Sequence, residues 1–303
     1  AARAAGARRA AGAMVLTVTG AYWDAQLATQ RVAALDTGLA AARAHAGRAA
    51  AMRDQGLVSG LDARLARLRV AQLDAQRVTV QADAENALAA LATLLALPDS
   101  VIVKPTDPLT VDSSDALPPA GDLSGRGDLQ GLQLGSRAAS LGVRRAWAAQ
   151  LPSLAAFADV GQHSPRRPFG PGSSDWTIGV AIVWRPFPGL AGVGAVARAR
   201  AEHDAAQARL EAGERQARLE LAQAQRFHSA ALRRMAVSRD ARAEAAQALE
   251  QARLRYRTGT APITELLDVQ AALTNADLDL LAARHDVLVA RAFLDFATGV
   301  NDR

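Results

Sequence analysis

The feature that most constrains this chain is a helical pattern that runs nearly unbroken from about residue 190 to residue 257. At roughly 1.5 Å per residue, such a helix would span about 100 Å. A helix of that length cannot wrap a compact core and needs neighbours along its length. The chain is rich in alanine and only 4% aromatic, which suits closely packed helices with little side-chain volume between them. The sequence therefore predicts a mainly helical protein.

The long helix is interrupted by the residues "TGTAP" at 258–262, and a last helix is predicted over about 263–298. Gly259 supplies a backbone conformation that other residues avoid, and Pro262 suits the first turn of the following helix. We therefore expect the two helices to reverse direction here and to lie antiparallel. A similar turn signal at 53–65 separates helices predicted over 1–55 and 61–97.

The two turn signals belong to an internal repeat with an offset of 203 residues (259 minus 56). The same offset relates Asp62 to Glu265 and Leu97 to Val300 without a gap. A period this long indicates a duplicated domain half. The first copy of the strand pair described next would then lie before residue 1. We therefore expect an N-terminally truncated chain that does not conduct by itself.

Between the two repeats, the character of the sequence changes twice. Residues 98–125 are rich in Pro, Asp and Ser, which predicts a surface linker, and a short helix is predicted over 126–150. Strands are then predicted over 151–161 and 175–184, joined by a loop over 162–175.

The second strand alternates strictly, with one face formed by large apolar side chains. Its two tryptophans are eight residues apart, or about 26 Å, which matches the roughly 25 Å apolar band between the aromatic girdles of an outer-membrane strand. Two strands cannot close a barrel, so the barrel would be shared between subunits. We therefore expect residues 151–187 to form a membrane β-hairpin with one lipid-facing row. That row is Trp176, Ile178, Val180, Ile182 and Trp184.

Charge and composition argue against several other functions. The net charge is +5, but the arginines alternate with acids along every helix, so nucleic-acid binding is not favoured. There are no cysteines, the histidines lack metal-ligand spacing, and no nucleophile–base pair is visible. We therefore expect no enzyme, metal or cofactor. The competing interpretations are a soluble periplasmic coiled-coil scaffold or adaptor without a pore and, less favoured, a basic coiled-coil nucleic-acid-binding protein.

Four segments carry a resemblance to a known family: "YRTGTAPITELLDVQ" (256–270), "GLVSGLDAR" (56–64), "DWTIGVAIVWRPFPG" (175–189) and "GRGDLQGLQLGSRAASLGVRRA" (125–146). Together they resemble the TolC-like outer-membrane efflux and secretion channels. The resemblance implies a passive duct in the outer membrane of a Gram-negative bacterium, with a large periplasmic part. It implies a homotrimer in which coiled-coil helical hairpins build a periplasmic tunnel and β-hairpins build one twelve-stranded barrel. A periplasmic adaptor and an inner-membrane pump would engage the far end of the tunnel.

The resemblance also implies a domain layout. Residues 1–97 would be the first helical hairpin, 98–125 a linker, 126–150 a short helix, 151–187 the membrane β-hairpin and 188–303 the second helical hairpin.

Both helix reversals would lie at the periplasmic tip. Tyr256 and Asp62 would meet there, hydroxyl to carboxylate, as a link that holds the entrance shut. Ala261 stands where some members have an arginine, so a gate link that depends on that arginine should be absent. The tip turns, which would also dock the adaptor, are formed by Gly56, Leu57, Val58, Gly259, Thr260 and Pro262.

The tip also holds two acids, Glu265 and Asp268, which are three residues apart and so share a helix face. In a trimer this face would form carboxylate rings that favour cations. The alternative is that acids in a first helical turn only stabilise the helix dipole, which fits Glu265 nearly as well and Asp268 less well.

Overall fold

The structure is a computed structural model that describes residues 2–98, 101–111, 123–163, 173–184 and 189–302. Helices and one β-hairpin account for nearly all of these residues, which confirms the predicted fold class of long helical hairpins with a β-hairpin. Over the described residues, no helix is both long and apolar enough to cross a membrane. The elements are α1 (Ala2–Asp54), α2 (Gly60–Leu94), α3 (Gly127–Ala148), β1 (Ser153–His163), β2 (Ser173–Val183), α4 (Ala191–Arg257), α5 (Ile263–Thr298) and a 3-10 turn (Val300–Asp302).

The predicted reversal is confirmed, because α4 ends at Arg257 and α5 begins at Ile263. The strand boundaries differ by about two residues from those predicted. Both strands continue into the expected loop, because backbone pairing extends to His163 opposite Ser173. The rest of that loop, 164–172, lies outside the described residues. Strand β2 ends at Val183, so Trp184 follows the strand and is not part of it.

The chain divides into two compact units, which are described separately. The first comprises residues 1–6 and 128–216, and the second comprises residues 7–127 and 217–303. Helices α1 and α4 contribute to both.

In the first unit, β1 and β2 pair antiparallel from Ser153 opposite Val183 onwards. The ring of Phe157 lies over its cross-strand partner Gly179, where an added Cβ would come within 2.5 Å of the ring. Helix α3 packs closely on α4 at Gly213, since a Cβ there would lie 2.5 Å from a methyl group of Leu132. Glycine at both places allows a contact that a larger residue would prevent.

In the second unit, α1 packs with α2 and α4 with α5 as antiparallel pairs around small leucine and alanine clusters. Asp74 on α2 and Asp277 on α5 are 203 residues apart, and each pairs with an arginine on the preceding helix. The ion pairs between these helices are Arg43–Asp74 (3.6 Å), Arg77–Asp36, Arg255–Glu265, Arg242–Asp277 (2.8 Å) and Arg234–Asp286 (2.6 Å).

The 203-residue offset recurs in the backbone. Helices α1 and α4 end at Asp54 and Arg257, which differ by this offset (257 minus 54). After α2, Ala96 adopts a left-handed φ of 52°, and Gly299 adopts a φ of 76° at the matching position after α5. The internal repeat inferred from sequence therefore extends to the helix ends.

Part of the predicted surface linker is anchored to α1. The Tyr22 hydroxyl donates to a carboxylate oxygen of Asp107 at 2.6 Å, and Gln26 donates to the Asp107 carbonyl. Leu109 is only 1% exposed. Most residues of 101–111 are nevertheless exposed and lie outside helices and strands, as expected for a surface linker, so this stretch runs over the surface while hydrogen bonds to Tyr22 and Gln26 hold it on α1. Residues 112–122 of the predicted linker lie outside the described residues.

Candidate functional site: two helix reversals and the β-hairpin

The second reversal is a helix C-terminal motif closed by glycine. Gly259 has a φ of +70°, and its N–H donates to the Tyr256 carbonyl at 3.1 Å. The N–H of Thr260 donates to the Arg255 carbonyl at 2.9 Å. This pair of bonds is the Schellman arrangement, which requires the left-handed residue that glycine supplies. Pro262 is the N-cap of α5, one position before the helical turn in which the sequence placed it.

The first reversal repeats this geometry. Gly56 has a φ of +72°, its N–H donates to the Arg53 carbonyl at 2.9 Å, and the N–H of Leu57 donates to the Met52 carbonyl at 2.9 Å. Every residue in these bonds is 203 positions before its counterpart in the second reversal. The two tip turns expected from the sequence therefore have one backbone design.

The two following helices begin differently. Helix α2 starts with a capping box, in which the Asp62 N–H donates to Ser59 Oγ at 3.2 Å and the Ser59 N–H donates to Asp62 Oδ2 at 3.3 Å. Helix α5 starts at Pro262, which makes no side-chain cap. Asp62 therefore has a structural role at the first reversal that the sequence analysis did not assign.

The Tyr256–Asp62 hydrogen bond implied by the family resemblance is not formed within this chain. The Tyr256 side chain is buried, and its hydroxyl has no hydrogen-bond partner among the described residues. Burial, and then the nearby Asp62 carboxylate, raise the pKa of the Tyr256 hydroxyl. The two groups are thus close enough to interact electrostatically, while the Asp62 carboxylate bonds the backbone of its own helix.

The two tip acids lie in different environments. Glu265 is half-buried and forms an ion pair with Arg255, the residue before Tyr256. Asp268 is exposed and makes no ion pair with any described residue. The sequence favoured Asp268 over Glu265 as an entrance residue only by its position past the first helical turn, because it could not show that Arg255 reaches across the turn to Glu265. Asp268 thus keeps a free charge beside the reversal.

The turn residues expected to dock a partner are accessible. Leu57 is 66% exposed. Thr260 and Pro262 are also exposed, and Val58 is half-buried.

The β-hairpin exposes the apolar row predicted to face lipid. Trp176, Ile178 and Ile182 are each 73% exposed, and Val180 is similar. Their partners on β1 extend the same face with Leu154, Ala156, Ala158 and Val160. The other face carries Asp159 and Thr177, which are paired with each other. A contiguous apolar surface of this kind marks a membrane or protein contact.

Sequence reasoning missed a polar cleft beside the second reversal. It is lined by three arginines and a buried histidine, His45, and the sequence analysis noted of the histidines only that they lack metal-ligand spacing. No spacing signal could reveal it, because the groups come from different helices. Within the part of the chain that the structure describes, no three histidine, aspartate or glutamate side chains gather as a metal site would require.

Comparison with known proteins decides the family. The sequence profile of the outer membrane efflux protein family matches residues 122–300, more than half of the chain. The chain belongs to the outer membrane efflux protein family. Its location is therefore the outer membrane of a Gram-negative bacterium, with a large periplasmic helical part, as the sequence predicts. No curated protein sequence matched the chain at a significant level.

Solved structures agree with this fold. The outer-membrane channel OprN is 24% identical, with a TM-score of 0.83, and the match covers 98% of this chain and 68% of that one. The outer membrane protein VceC from Vibrio cholerae is 21% identical, with a TM-score of 0.77 and coverage of 98% and 74%. The open state of the Neisseria gonorrhoeae MtrE outer membrane channel is 21% identical, with a TM-score of 0.83 and coverage of 98% and 68%.

Proposed function

We propose that this family member is the outer-membrane duct of a tripartite efflux pump or type I secretion system. It works as a homotrimer and is opened at its periplasmic tip by an adaptor and an inner-membrane pump. The observation that carries the proposal is the pair of matching reversals at Gly56 and Gly259. Both helical hairpins of this efflux-family chain therefore end in a turn with the same backbone geometry. Family membership and the apolar hairpin face support it further.

In this proposal the hairpin contributes to a barrel shared by three subunits, and the row from Trp176 to Ile182 faces lipid. Spin labels at Ile178 and Val180 should report an apolar environment in reconstituted protein, and a label at Thr177 on the other face should report water. Equal water accessibility at all three positions would contradict the lipid assignment. The substitution Val180→Arg should destabilise the inserted state by about 2–4 kcal/mol if it lies near the bilayer midplane.

The exposed turn residues would meet the adaptor. Leu57→Glu should therefore lower export in cells while leaving trimer assembly and outer-membrane insertion intact, since Leu57 packs against little within its own chain. A matched control is Val237→Glu, at an equally exposed apolar side chain (69%) on α4 and away from both reversals. If the two variants lost export equally, the turn itself would not be the docking element.

Asp268 would set the charge preference of the tunnel entrance. Three copies near a threefold axis attract cations, whereas Glu265 is already paired with Arg255. In conducting trimers of the full-length protein, single-channel reversal potential in a salt gradient should therefore show reduced cation preference for Asp268→Asn and a smaller change for Glu265→Gln. High salt should shrink both effects through screening.

A control acid is Asp240, which is exposed on α4 and away from the reversal. Asp240→Asn should leave the reversal potential unchanged. An unchanged potential in Asp268→Asn would mean that this carboxylate does not line the entrance.

A further inference from the structure

The polar cleft beside the second reversal is lined by α1, α4 and the start of α5, and its volume is about 380 Å³. Three arginines and one glutamate give its rim a net positive charge. Apolar walls come from Ala41, Ala44, Met52 and Leu266. The polar lining residues are His45, Arg48, Glu250, Arg253, Tyr256 and Arg257.

Three of these lining residues carry buried polar atoms without partners. His45 is 3% exposed and Tyr256 is 7% exposed. Tyr256 Oη and Arg253 Nε have no hydrogen-bond partner among the described residues, and His45 Nε2 has none of normal geometry, although the Gln270 side chain interacts with its ring. Buried polar groups in native proteins are nearly always hydrogen-bonded, so three such atoms around one cleft require an explanation.

The contact between Arg48 and His45 determines which nitrogen of the neutral imidazole carries the proton. Arg48 Nη2 lies 2.9 Å from His45 Nδ1, and a guanidinium can only donate. Nδ1 therefore accepts, and the proton of the neutral ring is on Nε2. Arg253 Nε is also an N–H donor, and the Tyr256 hydroxyl can donate. The cleft thus combines unpartnered donors with excess positive charge.

We propose that this cleft binds a tetrahedral oxyanion of the phosphate or sulfate class, either as the free ion or as a monoester. Guanidinium forks match the oxygen geometry of such anions, and their charge-assisted hydrogen bonds are the stronger kind. The volume lies within the range of small-molecule sites and leaves room for an organic substituent against the apolar walls.

The proposal goes beyond the export function and does not depend on it. A bound oxyanion would join Arg48 of the first helical hairpin to Arg253 of the second. Occupancy would therefore hold α1 against α4 at the reversal.

The test is isothermal titration of the whole purified chain with sulfate, at an ionic strength held constant with chloride. Saturable binding is expected. Arg48→Gln and Arg253→Gln should each weaken it about tenfold or more, the typical loss for a charge-assisted hydrogen bond. The matched control is Arg43→Gln, which removes an exposed arginine from the same helix that pairs with Asp74 and should leave sulfate binding unchanged.

Measuring sulfate affinity as a function of pH distinguishes binding in this cleft from non-specific attraction of sulfate to arginines. Sulfate keeps its charge across the pH range used, so any change in affinity comes from the protein. Burial, and then Arg48 and Arg253, lower the pKa of His45. A bound dianion favours the protonated ring, so sulfate affinity should rise as the pH falls from about 8 to about 5. The other group that acts on this ring is the side chain of Gln270 on α5, and the remaining acid of the cleft, Glu250, is paired with Arg253. His45→Gln should remove the rise while keeping both arginines.

Free ions and esters are then compared at a pH of about 8, where phosphate monoesters are dianions. If phenyl phosphate binds more tightly than inorganic phosphate, the cleft is a site for esters. If phenyl phosphate binds equally or more weakly, the cleft is a site for the free ion. The absence of saturable sulfate binding, or equal losses in Arg43→Gln and Arg48→Gln, would overturn the proposal.

Discussion

Helix α2 of the first hairpin and helix α5 of the second are nearly equal in length and follow turns of the same design, yet α2 buries five residues and α5 eleven. Matched positions show the cause. Ala63 and Ala84 on α2 correspond to Leu266 and Val287 on α5, and all four side chains are buried. At these two positions the second hairpin buries a large side chain where the first buries alanine.

Several large apolar side chains of α2 lie instead on an exposed face. Leu61 is 63% exposed, Leu68 54% and Val78 65%, whereas every large apolar side chain of α5 is at least partly buried. A duplicated backbone therefore does not imply duplicated packing. In the proposed trimer, the exposed face of α2 is available for a neighbouring subunit.

The largest expected effect tests this difference in burial. Leu266→Ala on α5 should lower the free energy of unfolding by about 3 kcal/mol, because it removes a fully packed side chain. Leu61→Ala on α2 should change it by less than about 0.5 kcal/mol in the isolated chain. Urea unfolding followed by circular dichroism measures both. Equal losses would show that α2 is packed as tightly as α5.

The second prediction uses the matched left-handed residues after the two helices. Gly299→Ala should cost about 3 kcal/mol, because a Cβ would strain the backbone and lie 2.8 Å from the Arg126 nitrogen. Ala96→Gly should instead stabilise the chain by up to about 1 kcal/mol by relieving the strain of a left-handed alanine. Thermal unfolding of both variants checks that the two substitutions change stability in opposite directions. A stabilising Gly299→Ala would contradict the packing described at that position.

The third prediction concerns the different helix starts. Ser59→Ala should cost about 1 kcal/mol, because it removes the side-chain oxygen of the capping box. Pro262→Ala should cost less, since Pro262 makes no side-chain cap on α5. Ser229→Ala, at an exposed serine within α4, is a control for loss of a hydroxyl group. Equal losses of stability in Ser59→Ala and Ser229→Ala would show that the capping box adds nothing to the start of α2.

The smallest expected effect is a pH dependence confined to the first hairpin. His45 is on α1, and the matching residue on α4 is Ala248. The folded-state pKa of His45 is below its ordinary 6.5, so the unfolded chain binds a proton more readily. Its contribution to stability is therefore present above about pH 6.5 and lost as the pH falls below that value.

His45→Gln should flatten this part of the stability profile, measured by urea unfolding between about pH 5 and about pH 8 in buffers without phosphate or sulfate. His203→Gln, at a less buried histidine, is the matched control and should leave the acid-side slope in place. If stability still decreased at acid pH in His45→Gln, that decrease would come from other titrating groups.

Much of the fold was predictable because its signals are local. Gly259 and Gly56 mark the reversals, since only glycine readily takes the left-handed conformation that these turns require. Strict alternation from Trp176 to Ile182 predicted the strand and its apolar face. Ala96 was not predictable in the same way, because alanine normally avoids the conformation that the repeat imposes there.

The candidate site was less predictable, because its roles depend on which side chains meet. Position along α5 separates Glu265 from Asp268 only weakly in sequence, whereas the position of Arg255 in the structure shows which carboxylate is paired. The Tyr256–Asp62 bond implied by the family resemblance is absent because the Asp62 carboxylate accepts from Ser59 instead.

The sequence by itself determined the helices, their reversals, the hairpin and the 203-residue repeat, because periodicity and turn chemistry act between residues close in the chain. Only the tertiary structure decided which of two matching helices is buried and which face of α2 remains exposed. It also brought His45, Arg48 and Arg253 to one cleft. Burial, ion pairing and pKa values depend on side chains of other helices, which lie from 10 residues away for Arg255 and Glu265 to 205 residues away for Arg48 and Arg253 (253 minus 48), and no local pattern records them.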